Sequence, residues 1–136
     1  MIKREKAILP HLTDADHSDK DGYFVSLNQD TGKVSIVAGA TAAPHGVILD
    51  GAEAGDSDSI GLSAGGLPGT VEVKLSANPG TVKRGTLLAL DAATLGTVKA
   101  DPATGARVIV AQALEAGTAG ELIEAVLLYP QVIAGA

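Results

Sequence analysis

The sequence has no cysteine and no tryptophan, and aromatic residues make up only 2% of it. Without cysteine, no disulfide staples the fold and no thiolate can serve as nucleophile or metal ligand. Two tyrosines and one phenylalanine offer little surface on which a base or a sugar could stack. Positive charge is also scarce: ten Lys and Arg against sixteen Asp and Glu give a formal net charge of -6. The ten are scattered along the chain, whereas a phosphate-tracking surface needs them clustered. Nucleic acid is therefore not expected as a partner. No apolar run approaches the roughly 18–20 residues of a membrane span, so no membrane partner is expected either. The opening M-I-K-R-E-K-A-I-L-P-H lacks the apolar stretch of a signal peptide. The expected location is the cytoplasm in which the protein is made, unless it is assembled into a particle.

What is present is aliphatic. Hydrophobic residues reach 46% and are almost all Ala, Val, Leu and Ile, which suits thin, close-packed β layers. Seventeen glycines and six prolines predict many turns. At 136 residues the chain is the size of one domain.

An internal repeat organises that domain. Gly22–Val34, read as G-Y-F-V-S-L-N-Q-D-T-G-K-V, has a counterpart in Gly85–Val98, read as G-T-L-L-A-L-D-A-A-T-L-G-T-V. Gly22 matches Gly85, Val25 matches Leu88, Leu27 matches Leu90 and Asn28 matches Asp91. One added residue, Leu95, then sets Gly32 against Gly96 and Val34 against Val98. Further on, Gly46–Asp56 matches Ala111–Glu121, with Leu49 on Leu114, Asp50 on Glu115 and Gly55 on Gly120. Two copies are too few for a solenoid, which needs at least about three, so they pack on each other in one body.

Residues 1–21 form an extended N-terminal arm in this reading, and 22–136 the β domain. The arm mixes Lys3, Arg4 and Lys6 with Ile2, Ile8 and Leu9, and 11–21 is read as a solvated acidic linker. In the domain, strands are expected at Val25–Leu27, Val34–Ile36, Gly46–Leu49, Ile60–Leu62, Val71–Leu75, Leu87–Leu90, Val98–Ala100 and Val108–Val110, each with alternating or continuous apolar residues. Asn28–Gly32, Asn78–Gly80 and Asp101–Gly105 are turn chemistry, and Gly51–Asp58 is an acidic loop. Glu121–Tyr129 fits a helical stripe through Leu122, Val126 and Tyr129, but its repeat partner contains Gly61, so it is read as a strand that ends at Pro130. Short strands broken by Gly and Pro indicate an all-β barrel or sandwich-like body.

No catalytic or metal-binding set is expected. Asp14, Asp16 and Ser18 alternate like a calcium loop, but the sixth and twelfth positions hold Asp19 and Val25 in place of Gly and Glu. His11, His17 and His45 lack the spacing that puts two ligands on one helix face. No serine sits in a G-x-S-x-G elbow. Asp56 and Asp58 are read as solubilising loop residues. Lys20-Asp21-Gly22 and Lys83-Arg84-Gly85 enter the two repeats at equivalent places. This keeps one alternative in view, a biotinyl- or lipoyl-like carrier domain with a modified lysine. Its Met-Lys-Met tip is absent, because Met1 is the only methionine.

Three stretches together carry a family resemblance: G-Y-F-V-S-L-N-Q-D-T-G-K-V, H-G-V-I-L-D-G-A-E-A-G-D, and Val82–Tyr129 with V-K-R-G-T-L-L-A-L-D and A-Q-A-L-E-A-G-T-A-G-E-L-I-E-A-V-L. They resemble the capsid decoration, or cement, proteins of tailed bacteriophages. The V-K-R-G-T-L-L segment is also similar to the V-x-x-G-x-x-L element of β-clip domains, the fold of lambda-type head decoration proteins. The resemblance implies a non-enzymatic virion protein with no cofactor, mainly β. It would form a homotrimer on the outer surface of an icosahedral capsid and clamp neighbouring subunits of the major capsid protein. Within it the arm residues Ile2, Lys3, Arg4, Lys6, Ile8 and Leu9 are the expected capsid contacts.

Overall fold

The computed structural model describes residues 8–13, 15–63 and 70–135. Among them every regular element is a strand. The first five are β1 (Ile8–Leu12), β2 (Phe24–Leu27), β3 (Val34–Ile36), β4 (Gly46–Asp50) and β5 (Ser57–Leu62). The second five are β6 (Val71–Lys74), β7 (Leu87–Leu90), β8 (Val98–Ala100), β9 (Arg107–Ala113) and β10 (Leu122–Ile133). They form two five-stranded antiparallel sheets, ordered β1-β5-β4-β2-β3 and β6-β10-β9-β7-β8. The order is the same in both, so the two-fold repeat read from the glycines and apolar positions is a repeat of topology.

The match extends to single hydrogen bonds. Gly22 N–H donates to Ile48 O at 2.8 Å and Gly85 N–H to Ala113 O at 2.7 Å. Asn28 Oδ1 accepts from Asp30 N at 2.9 Å, and Asp91 Oδ1 accepts from Ala93 N at 3.0 Å, so both hairpins turn on a short polar side chain that bonds its own backbone. The pairs Gly22/Gly85, Gly32/Gly96 and Gly55/Gly120 all have positive φ. Even the isolated parallel bridges correspond, Thr13 with Val34 and Leu75 with Val98.

Packing joins the halves. Phe24 and Val47 of the first sheet share a buried cluster with Val73, Leu75, Leu88, Leu90, Val98, Val108, Val110 and Ile123 of the second half. Their chain neighbours Val25 and Ile48 point the other way and pack with Val34 and Ile60. The first sheet is thus buried on both faces, which is why Gly46–Leu49 is a continuous apolar run without alternation. Backbone bonds cross the junction as well: Phe24 N–H donates to Gly96 O at 2.8 Å and Lys74 N–H to Gly22 O at 3.0 Å.

Three expectations need correction. The stretch from Ile8 to Leu12 is a strand, antiparallel to β5 in register Ile8–Gly61 to Leu12–Ser57. Pro10 is tolerated because β1 is an edge strand, where a missing N–H can face away from the ladder. The acidic loop is shorter than expected, because Ser57 and Asp58 already belong to β5. Finally, the last segment is a strand, as read, but Pro130 does not end it. β10 continues to Ile133, and Pro130 falls where its register with β9 shifts between Leu127 and Gln131. A bulge absorbs the lost donor there.

Candidate functional site

Of the six expected capsid contacts, two lie among the described residues. Ile2, Lys3, Arg4 and Lys6 lie outside the described residues. Ile8 and Leu9 belong to β1, opposite Gly61 and Ile60. Within the expected arm, then, Ile8–Leu12 are paired into the first sheet.

The segment after β1 is bolted down rather than solvated. His17 is 2% exposed, and Thr13 and Asp58 are fully buried. The His17 ring donates through Nδ1 to Asp58 Oδ2 at 2.6 Å. The other oxygen, Oδ1, accepts from Ala52 N at 2.8 Å. His17 N–H donates to Ala52 O at 2.8 Å, and Asp21 Oδ1 accepts from Gly51 N at 2.8 Å. The fit is so close that a Cβ on Gly51 would meet the His17 carbonyl oxygen. One buried carboxylate therefore ties three pieces together: the 15–21 segment, the 51–56 loop and β5. Buried polar groups need such partners, and here all of Asp58's are supplied by the chain itself.

Thr13, His17 and Asp58 have the residue types of a nucleophilic triad but not its arrangement. In a triad the acid and the hydroxyl occupy opposite ring nitrogens. Thr13 Oγ1 sits 3.0 Å from the same Nδ1 that contacts Asp58, and 3.4 Å from Nε2. Its own proton is donated to Ala15 O at 2.9 Å. With all three residues buried, the cluster holds structure together.

His11 and His45, 34 positions apart, are brought together. Their Nε2 atoms are 3.1 Å apart, with ring centroids at 4.9 Å and planes at 74°. Burial, and secondarily the charge of His11, hold His45 below the usual histidine range. The folded protein thus favours neutral His45. Its contribution to stability is intact above the ordinary value of about 6.5 and is lost as pH falls from there towards the lower folded value. In an NMR titration the His45 ring should have its midpoint below that of a free histidine. His11→Gln should move the midpoint back up part of the way. A His45 midpoint at or above the free value would contradict this.

Other candidate chemistry disperses. Asp56 is exposed while Asp58 is buried, so the two do not act as a pair. At the junction of the halves a cavity of about 280 Å³ is rimmed by Asp21, Thr70, Glu72 and Glu124, with no histidine or lysine among its lining residues to act as a base. Among the described residues no group of three or more His, Asp or Glu gathers to hold an ion. Lys20 and Lys83 are not at hairpin tips, because the strands that flank each, β1 and β2 or β6 and β7, have two other strands between them in their sheet. The two most exposed large apolar side chains are both on the second half of β10, where Tyr129 is 78% and Val132 55% exposed.

The fold defines a class: an all-β, barrel-like body made of two repeated five-stranded antiparallel sheets. No protein-family model matches the chain, and no curated protein does. Among solved structures it is similar to the N base of the head fiber gp8.5 of bacteriophage phi29, at 16% sequence identity and a TM-score of 0.60. The similarity covers 93% of this chain and 97% of that one, so it is a likeness of nearly the whole fold.

Proposed function

We propose that this protein is a structural component of a bacteriophage head, of the decoration type, seated on the outer surface of the capsid. The observation that carries this reading is the fold likeness to a head fiber base along nearly the full length of both chains. The lambda-type motifs quoted above point to the same kind of particle. A cement protein needs no catalytic set. It needs patches complementary to several copies of the major capsid protein, each contact raising the effective concentration for the next.

In this reading the protein clamps neighbouring capsid subunits and acts as a homotrimer. Exposed Tyr129 and Val132 on one strand are apolar side chains of the kind that protein contacts cover. The stretch before Ile8 supplies a further capsid contact, with Ile2 as anchor and Lys3, Arg4 and Lys6 as steering charges.

The test is co-sedimentation with undecorated heads built from the cognate major capsid protein. Saturable binding is expected, with light scattering giving three chains per particle for the free protein. Deleting residues 1–21 would remove β1 and the His17 anchor, so the arm is tested by deleting residues 2–7 alone. Weaker retention of that variant supports the arm, and unchanged retention refutes it while leaving the decoration role standing. Absence of binding by the full chain would overturn the proposal itself.

A further inference from the structure

The geometry points to a divalent transition-metal site of the Cu²⁺, Ni²⁺ or Zn²⁺ class formed by His11 and His45. Two imidazoles on one such ion, with metal–nitrogen bonds of about 2.0–2.1 Å, hold their nitrogens about 2.9 Å apart at a right angle and about 3.4 Å apart at a tetrahedral angle. The observed Nε2–Nε2 separation of 3.1 Å falls within that bite. The planes are crossed at 74°, so the two rings converge at their nitrogens rather than stacking.

A second observation concerns the far side of one ring. His11 Nδ1 lies 3.3 Å from Leu9 O. A carbonyl only accepts, so Nδ1 carries the proton and Nε2 presents its lone pair. This is the arrangement that orients ligating histidines, whose other ring nitrogen donates to a backbone carbonyl or carboxylate. In the metal-free protein His45 Nε2–H donates to the His11 lone pair. Metal binding requires only that this proton move to His45 Nδ1, which exposes a second lone pair and leaves both rings neutral. Imidazole nitrogens select this class of ion over calcium or magnesium, which prefer oxygen. Two protein ligands leave the remaining positions to water, so the site is open.

The placement gives the ion a structural effect. His11 lies on the edge strand β1, and His45 directly precedes β4. β5 separates those two strands in the sheet. A bound ion would clip β1 across β5 to the start of β4, at a separation of 34 residues.

The experiment uses the full chain without an affinity tag, titrated with Cu²⁺ and read by electron paramagnetic resonance. One ion per chain with coupling to two nitrogens is expected. His11→Gln and His45→Gln should each weaken binding by at least about 100-fold, beyond the 10–100-fold typical of losing an outer-shell partner. Each variant is checked for its β circular dichroism. A measurement that needs no variant accompanies it: on adding Zn²⁺ to the ¹⁵N-labelled wild type, both Nε2 resonances should move to metal-bound positions while the His17 ring stays unchanged. Equal affinity in the double variant, coupling to fewer than two nitrogens, or unmoved Nε2 resonances would overturn the site.

Discussion

Asp58→Ala should destabilise the protein by about 3–5 kcal/mol, because it strands two buried donors at about 1–3 kcal/mol each. For a chain of this size that is a fall of about 10–20 °C in melting temperature. The reason lies in what the change strands. His17 Nδ1 loses its 2.6 Å acceptor, Ala52 N loses its 2.8 Å acceptor, and His17, 2% exposed, has no water to turn to. Unmade bonds of buried groups cost more than made ones contribute. His17→Ala should also destabilise, by leaving the carboxylate unpaired. The two single losses should not add. The double variant His17→Ala/Asp58→Ala strands neither the ring nor the carboxylate of the 2.6 Å contact, so it should be less destabilised than the sum by about 1–3 kcal/mol, as contacting residues are in double-mutant cycles. Urea unfolding of the four proteins measures the coupling. Strict additivity would show that the short contact carries no energy of its own. Asp58→Asn should fall between wild type and Ala, because its carbonyl oxygen can still accept from Ala52 N.

The same cluster shows where sequence reading reached its limit. The repeat was legible because its markers are local: Gly22 and Gly85 need positive φ, and Asn28 and Asp91 cap turns within three residues of themselves. Strand alternation is local too, so β2, β3, β6, β7 and β8 stand within a residue or so of where the apolar pattern puts them. β1 was missed because charged residues and Pro10 mask a short edge strand whose only evidence is its partner β5, nearly fifty residues away. Asp58 and Asp56 carry equal weight in a composition, and only the register of β5 turns one inward and leaves the other exposed. His11 and His45 likewise meet through the sheet and not through spacing. One signal was available: the repeat places Ser57 opposite Leu122, the first residue of β10, which argues for a strand beginning inside the acidic loop.

Gly22→Ala and Gly85→Ala should differ sharply although the repeat makes them equivalents. Both glycines sit in the left-handed region, at φ of 83° and 91°, where any L side chain costs roughly 1–2 kcal/mol. A Cβ at Gly85 meets nothing within 4 Å, so Gly85→Ala should cost that amount and little else. A Cβ at Gly22 would lie 2.5 Å from Leu122 Cδ2, 2.9 Å from Lys74 N and 3.1 Å from Val73 C. Leucine can turn aside, but the β6 backbone cannot move without loosening the 3.0 Å bond from Lys74 N–H to Gly22 O, which joins the two sheets. Overpacking of this kind adds about 1–3 kcal/mol, for a total of about 2–5 kcal/mol at Gly22. The comparison isolates the junction, since the backbone strain is common to both variants and cancels in the difference. Denaturant midpoints for the pair would read it directly, and hydrogen exchange at Lys74 should accelerate only in Gly22→Ala. Equal losses at the two sites would mean that the sheets meet with more slack than these distances allow.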